Sequence, residues 1–295
     1  MSNPANGDAS SLDRQRVRAS FDRASGGYDH AAALQTRVRA ELLERLALFK
    51  LTPRVALDLG TGTGQGAQAL RALYRRALIL AIDSAPGMLR AARRRSGLFR
   101  RFERTLADAA RLPLATASVD LVFSNLMLQW CDELAAPLAE ARRVLAPGGL
   151  FACSTLGPDT LHELRAAWAE VDDDSHVNRF LDLHDVGDAL VRAGFAEPVL
   201  DVERVELTYA DTTALMRDLK AIGAHNATRG RPRGLTGRAR MEKMRIAYER
   251  FRRNGRLPAS FEVVYATAWG GGDRAIASVR DGEARVPADA IRRRP

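Results

Sequence analysis

Between residues 55 and 154 the chain alternates strictly between short apolar runs and helix-length stretches, and this alternation constrains the fold more than any other feature. The apolar runs are 55–59, 77–82, 102–106, 119–123 and 150–154. Between them lie 66–74, 85–95 and 134–145, the last stopping before Pro147-Gly148-Gly149. Helical crossovers set successive strands parallel and cover both faces, so an α/β fold with a doubly wound, mostly parallel sheet is expected. Upstream, Leu34, Val38, Leu42, Leu46 and Phe49 recur at helical spacing, which predicts a helical segment over 17–49. After Thr155 the rhythm changes. Segments 161–171, 186–193, 211–222 and 238–253 read as helices, while 199–209 and 261–269 read as two late strands closing the sheet edge as an antiparallel pair.

The turn out of the first strand reads Asp58-Leu59-Gly60-Thr61-Gly62-Thr63-Gly64. Glycines at a strand's carboxyl end let the backbone turn tightly and let a ligand lie against the bare chain. Gly62, Gly64 and Ala67 fit a dinucleotide loop's spacing, but Asp58 repels a pyrophosphate there and suits a cationic ligand. S-adenosylmethionine, with its ammonium and sulfonium, is such a ligand. Asp83 ends the second strand 19 residues beyond Gly64, where a carboxylate accepts both ribose hydroxyls or caps the helix that follows. Asp108 ends the third, placed to accept from an adenine amino group. Met88 is a core residue or an adenine neighbour. All strand carboxyl ends of such a sheet open on one crevice, so the loop and the three acids converge.

At 295 residues, 46% of them hydrophobic, the chain buries a sizeable core and is too apolar for a disordered polymer. No apolar run reaches the roughly 18 residues of a membrane span, and the polar start lacks an export signal, so a cytoplasmic protein is expected. Cys131 and Cys153 make neither a disulfide framework nor a cysteine zinc site and read as buried small hydrophobes. His176, Asp182, His184 and Asp185 lack zinc spacing, so no metal is expected. The formal charge is +9, and arginine supplies 42 of 45 basic residues, which a GC-rich coding bias alone explains. The charge is nevertheless uneven: 217–256 hold 13 Lys or Arg against three acids, and 159–206 hold 13 acids against four arginines. The basic stretch points to an acidic partner. Nucleic acid is the rival reading, opposed by the acidic block and by the lack of aromatics among the arginines.

The loop and its acids resemble the class I S-adenosylmethionine-dependent methyltransferases, as do 118–125 as fourth strand and Leu145-Ala146-Pro147-Gly148-Gly149 before the fifth. Narrower strings resemble the malonyl-acyl-carrier-protein O-methyltransferase family of biotin synthesis. In the first half they are Phe21-Asp22-Arg23-Ala24 with Tyr28-Asp29, Leu34-Gln35, and 124–130. Later come 154–161 with Glu163-Leu164-Arg165, His184-Asp185-Val186-Gly187, 218–224, 234–238, and Leu257-Pro258 with 262–265. Thr61 departs from that family's loop, which commonly has cysteine there.

The resemblance implies a seven-stranded sheet with the last strand antiparallel. It implies one methyltransferase domain over 15–270, with an N-terminal helical cap (15–50), helical lid segments (157–195 and 211–256), and flexible tails at 1–14 and 271–295. S-adenosylmethionine, released as S-adenosylhomocysteine, would be held by Asp58, Gly60, Gly62, Gly64, Asp83, Ser84, Met88, Asp108, Ala109 and Asn125. The implied activity is methyl transfer to the free carboxylate of malonyl carried on an acidic acyl-carrier protein, or on coenzyme A, so that fatty-acid elongation accepts the ester as a primer. An ionised carboxylate needs alignment and desolvation more than a general base. Tyr28 and Trp130 are catalytic candidates, and Gln129, Trp130, Arg165, Lys220 and Arg238 are candidates for holding the malonyl group and its arm. Two related activities stay open: that of an arginine hydroxylase, as in a mitochondrial complex I assembly factor similar to this family, and methylation of a free small acid such as trans-aconitate. Neither nucleic acid nor membrane is expected as a partner.

Overall fold

A computed structural model describes residues 11–97, 102–224, 226–230, 236–271, 278–280 and 283–285. Three helices precede the sheet: α1 (Arg14–Ala24), α2 (Tyr28–Ala31) and α3 (Ala33–Ala47). The expected single segment is thus broken, with Gly26 and Gly27 in the turn between α1 and α2. The α3 stripe Leu34, Val38, Leu42 and Leu46 is fully buried, as its spacing predicts.

The alternating region folds as β1 (Val55–Leu59), α4 (Gln65–Leu73), β2 (Leu78–Asp83), α5 (Pro86–Arg95), β3 (Glu103–Leu106), β4 (Val119–Asn125), α6 (Ala135–Val144) and β5 (Leu145–Leu156). Then follow α7 (His162–Ala169), α8 (Leu183–Arg192), β6 (Phe195–Tyr209), α9 (Thr212–Ala221), α10 (Arg238–Glu249) and β7 (Leu257–Gly270). The sheet order is β3-β2-β1-β4-β5-β7-β6, with β7 antiparallel to both neighbours and the other pairs parallel. Strand order reverses between β1 and β4, which puts the ligand crevice at their carboxyl ends. β5 starts at Leu145 rather than 150, because Leu145 pairs with Val119 before the register shifts across Pro147-Gly148-Gly149.

Successive strand residues face opposite sides, and the core divides accordingly. Ala56, Leu121, Phe123 and Ala152 pack with α3, α7 and α10, whereas Leu57, Val122, Phe151 and Cys153 pack with α6 and α8. Among the described residues no helix is long and apolar enough to cross a membrane.

The first expected tail is shorter than anticipated. Leu12 is buried, its N–H donates to Asp132 Oδ1 at 2.7 Å, and Asp13 N–H donates to Ala227 O at 2.9 Å. Arg229 N–H donates to Ser11 O at 2.9 Å, so 11–13 lie against 227–229 instead of trailing in solvent. Near the other end, β8 (Ser278–Arg280) and β9 (Glu283–Arg285) form a separate two-stranded antiparallel sheet. Residues 1–10 and the remainder of the second tail, Arg292 to Arg294 included, lie outside the described residues.

Candidate active site

Gly60, Gly62 and Gly64 all take positive φ (76°, 55° and 84°), so the loop turns through left-handed conformations at alternate residues. Gly60 and Thr61 N–H donate to Ile82 O (2.8 and 2.9 Å), and Gly62 N–H to Asp83 Oδ2 (2.8 Å), which ties the loop to the end of β2. Asp83 Oδ1 also accepts from Ala85 N–H at 2.8 Å, so this carboxylate does serve the start of α5. The carboxylate keeps acceptor capacity for a ligand. Burial raises the Asp83 pKa, against the opposing effect of these backbone hydrogen bonds.

Gly60, Gly62, Asp83, Ser84, Met88, Asp108, Ala109 and Asn125 all line one cavity of about 510 Å3 at the β1/β4 crevice. Asp108 spends Oδ1 on Ala110 N–H (2.9 Å) and is otherwise exposed. Two expected ligands differ. Gly64 lines none of this space; a Cβ there would sit 2.9 Å from Ala92 Cβ and 3.0 Å from Phe102 Cζ, so the glycine serves helix packing. Asp58 opens instead on an adjoining recess of about 50 Å3, with Tyr28, Gln35, Arg39 and the loop. Its Oδ2 accepts from Thr61 Oγ1 at 2.5 Å. Burial pushes the Asp58 pKa up to about 6, against the hydrogen bonds from Thr61 and Ala67 N–H and with the Asp83 charge adding to the rise.

The first helices roof this cavity. Asp29 accepts from Thr63 Oγ1 and Gln65 Nε2, both at 2.6 Å, and pairs with Arg95, which pins α2 to the glycine loop. Burial raises the Asp29 pKa, but those hydrogen bonds outweigh it and hold the carboxyl below its ordinary value. Asp22 accepts from Gly87 N–H, and a Cβ on Gly87 would lie 2.7 Å from Asp22 O, so α1 sits directly on α5. Cys153 is buried in the core, whereas Cys131 lines the cavity with Sγ 3.6 Å from Met127 Sδ, so only one cysteine is the core residue expected.

A second cavity of about 370 Å3, walled largely by Leu156, Leu161, Leu164, Trp168, Phe180 and Leu219, adjoins the first. The two share Phe21, Tyr28, Leu126 and Trp130. Phe21 meets Trp130 edge-on at 5.1 Å between ring centroids. Tyr28 is held neutral by burial and by the Asp83 and Asp29 charges, which raise its pKa. Of the residues expected to hold the substrate, Gln129 and Lys220 line the apolar cavity. Arg165 and Arg238 do not. The Arg165 guanidinium donates to the carbonyls of Asn178 (2.9 Å), Pro158 (3.0 Å) and Thr160 (2.6 Å), bracing the wall from behind. Arg238 is exposed at the start of α10.

The basic stretch is less free than its count suggests. Arg240 holds Asp172 and Asp174, Arg250 pairs with Glu170, and Arg245 and Arg252 pair with Glu242 and Glu249. His176 Nε2 is 2.8 Å from an Asp172 oxygen and its ring stacks on Trp168 at 3.7 Å, while Arg240 pairs with both acids of that cluster. Arg231 and Arg233 lie outside the described residues. Phe21, Asp29 and Arg39 are site residues that the sequence reading gave no role. Arg39 had a usable signal, since it follows the buried stripe residue Val38 by one position and therefore flanks the packed face.

Comparison with known proteins bears on this geometry. A family model described as a methyltransferase domain matches residues 57–153. The malonyl-acyl-carrier-protein O-methyltransferase of Methylovorus sp. (strain MP688) is 54% identical over 268 residues, covering 89% of this chain and 90% of its own. That of Halorhodospira halophila is 49% identical over 290 residues, covering 98% of each. Among solved structures, Haemonchus contortus phosphoethanolamine N-methyltransferase 2, in complex with S-adenosylhomocysteine, aligns with a TM-score of 0.54 at 16% identity, covering 87% of this chain and 60% of that one. The cyclase SpnF aligns at 0.51 with 20% identity, covering 80% and 81%. A fold shared with a cyclase fixes the architecture and leaves the reaction to the site.

Proposed function

Because the chain belongs to the malonyl-acyl-carrier-protein O-methyltransferase family, we propose that it methylates the free carboxylate of malonyl tethered to a carrier protein, with S-adenosylmethionine as donor. The observation that carries this reading is the junction of a polar cavity at the glycine loop with an apolar cavity across Phe21, Tyr28, Leu126 and Trp130. The residues present fit the donor: a Cβ on Gly62 would meet nothing within 4 Å, Asp83 keeps unused lone pairs, and Asp58 supplies a negative charge beside the loop. Bound there, S-adenosylmethionine supplies an electrophilic methyl: a carboxylate oxygen bonds to its carbon as the carbon–sulfur bond breaks and the electron pair goes to sulfur. No proton moves. The protein therefore aligns, desolvates and excludes water. Aromatic faces at Phe21, Tyr28 and Trp130 favour a cationic group between the cavities. The apolar cavity suits the tethering arm. The ester so formed, its charge masked, would be taken by fatty-acid elongation as the primer for biotin synthesis.

Labelled methyl transfer tests this reading. Malonyl-carrier protein is expected to be turned over far faster than free malonate or succinyl-carrier protein; equal labelling of free malonate would overturn the tethered substrate.

An acidic carrier protein suits the cations at the apolar cavity's rim. Arg179, Arg217 and Arg238 are exposed and flank the lining residues Phe180, Met216 and Thr236. Complementary charge mainly raises the association rate and is screened over about 8 to 10 Å at physiological salt. Reversing all three to glutamate is expected to raise KM for malonyl-carrier protein about tenfold at low salt and to flatten its salt dependence. Turnover of malonyl-coenzyme A should change much less. Unchanged carrier-protein kinetics would return these arginines to coding bias.

A further inference from the structure

The Leu34-Gln35 string has one half explained by packing, since Leu34 is buried in the α3 stripe. Gln35, in the first turn of the same helix, lines both the apolar cavity and the recess beneath the glycine loop. Its backbone carbonyl accepts from Asn125 Nδ2 at 3.1 Å, which fixes the residue beside the end of β4. Its side chain is not fixed in that way. Oε1 is enclosed and has no hydrogen-bond partner among the described residues. Enclosing an amide without a partner is unfavourable, and such an exception calls for a ligand. A half-turn of the amide exchanges oxygen and nitrogen, so this position presents an acceptor or a donor as the ligand requires.

Most other polar side chains of the apolar cavity are engaged. Gln129 donates to Leu126 O (2.8 Å), Thr160 exchanges hydrogen bonds with the Glu262 backbone (3.1 and 3.2 Å), and Asn178 Oδ1 accepts from Ala227 N–H (3.1 Å). Lys220 is exposed at the rim. Gln35 shares its wall with Tyr28, which lines both cavities and the recess.

We propose that the Gln35 amide is the group that orients the substrate's free carboxylate on the wall of the apolar cavity, beside Tyr28 and the recess. This rests on the methyl-transfer reading above. A carboxylate offers only acceptors, so it selects the orientation in which the amide NH2 donates. A neutral donor holds one oxygen and leaves charge on the other for attack, whereas a cation at that point would stabilise the attacking charge in the ground state. An acyl group without the acid leaves the amide unpaired, so the same contact distinguishes malonyl from acetyl.

The recess offers the amide one competing ligand, the donor's ammonium beside Asp58, and the experiment separates the two. Wild type, Gln35→Met and Gln35→Glu are compared for S-adenosylhomocysteine affinity by calorimetry and for malonyl-carrier-protein turnover at saturating donor. Gln35→Met is expected to lower kcat/KM by about 10- to 100-fold, as loss of a hydrogen bond to a charged group does. Its S-adenosylhomocysteine Kd should stay within about twofold, and malonyl-carrier protein should lose its advantage over acetyl-carrier protein as a competing ligand. Gln35→Glu should lower turnover further at neutral pH and recover it as the pH falls toward the ordinary glutamate range. This second variant keeps size and polarity, and so decides the matter if Gln35→Met does not fold. Unchanged kcat/KM in folded Gln35→Met, a parallel fall in S-adenosylhomocysteine affinity, or a Gln35→Glu profile matching wild type would overturn the role of Gln35 while leaving methyl transfer intact. A wild-type enzyme without turnover would overturn methyl transfer itself.

Discussion

Gly62→Val is expected to abolish methyl transfer in a protein that still folds. Gly62 sits at φ 55°, where a residue with a Cβ costs about 1–2 kcal/mol, a fraction of the roughly 5–15 kcal/mol that holds a domain together. A Cβ there meets no protein atom within 4 Å, because it enters the 510 Å3 cavity. The β-branched side chain would occupy the ligand's place, and S-adenosylhomocysteine affinity by calorimetry should fall at least about 100-fold, a loss of ~3 kcal/mol. Gly64→Val should do the reverse. It has the same left-handed strain at φ 84°, but its Cβ would collide with Ala92 and Phe102 at 2.9 and 3.0 Å. Strain and overpacking together should lower stability by about 2–5 kcal/mol, with the affinity of the folded fraction near wild type. If Gly64→Val removed binding without lowering the melting temperature, the placement of the two glycines would be wrong.

Asp58→Asn should strengthen the ligand-free protein and weaken the complex. The Asp58 carboxyl, ordinarily near 3.8, stands at about 6 in the folded protein. A group raised on folding adds stability while protonated, in full below its unfolded pKa, and loses that contribution as the pH rises through its folded value. At 1.36 kcal/mol per pH unit, ionising it in place costs about 3 kcal/mol at pH 8. Asparagine carries no charge there, so the variant should melt above wild type at pH 8, and the gap should close toward pH 4. Added S-adenosylmethionine should narrow or close that gap at pH 8, because its ammonium loses a buried partner worth about 1.5–3 kcal/mol. Parallel melting curves across the range would rule out the buried carboxylate as their cause.

The sheet was legible because its signal is local. Apolar runs such as 119–123 and the turn at Gly60 to Gly64 declare strand and loop within a few residues. That Asp83 and Asp108 meet in one cavity followed, since one topology brings every strand's carboxyl end to the same crevice. What the sequence left obscure depends on where long side chains point. Arg165 sits in a family-like string and reads as a substrate ligand, yet three backbone carbonyls absorb its donors. The basic stretch reads as a free patch until Arg240 and Arg250 meet Asp172 and Glu170, some 70 to 80 residues away along the chain. Phe21 and Gln35 belong to helices whose apolar pattern speaks for packing alone. Their part in the site arises only where α1 and α3 close over the ends of β1 and β4, a contact that no local pattern encodes.

The pairing of residues 11–13 with 227–229 also sets an order of events during synthesis. Asp13 is made before β1, but its acceptor, Ala227 O, is added only after β6 and α9. At about 5–20 residues per second that interval is on the order of ten to forty seconds. During it β1, β2 and β4 and the glycine loop can form with their neighbours, while Leu12 has its Asp132 contact but not yet its pairing with Thr228. A segment made before the sheet is thus fastened only after most of its strands are in place, and a chain stopped short of residue 227 would carry the loop and its acids beneath a roof without that fastening.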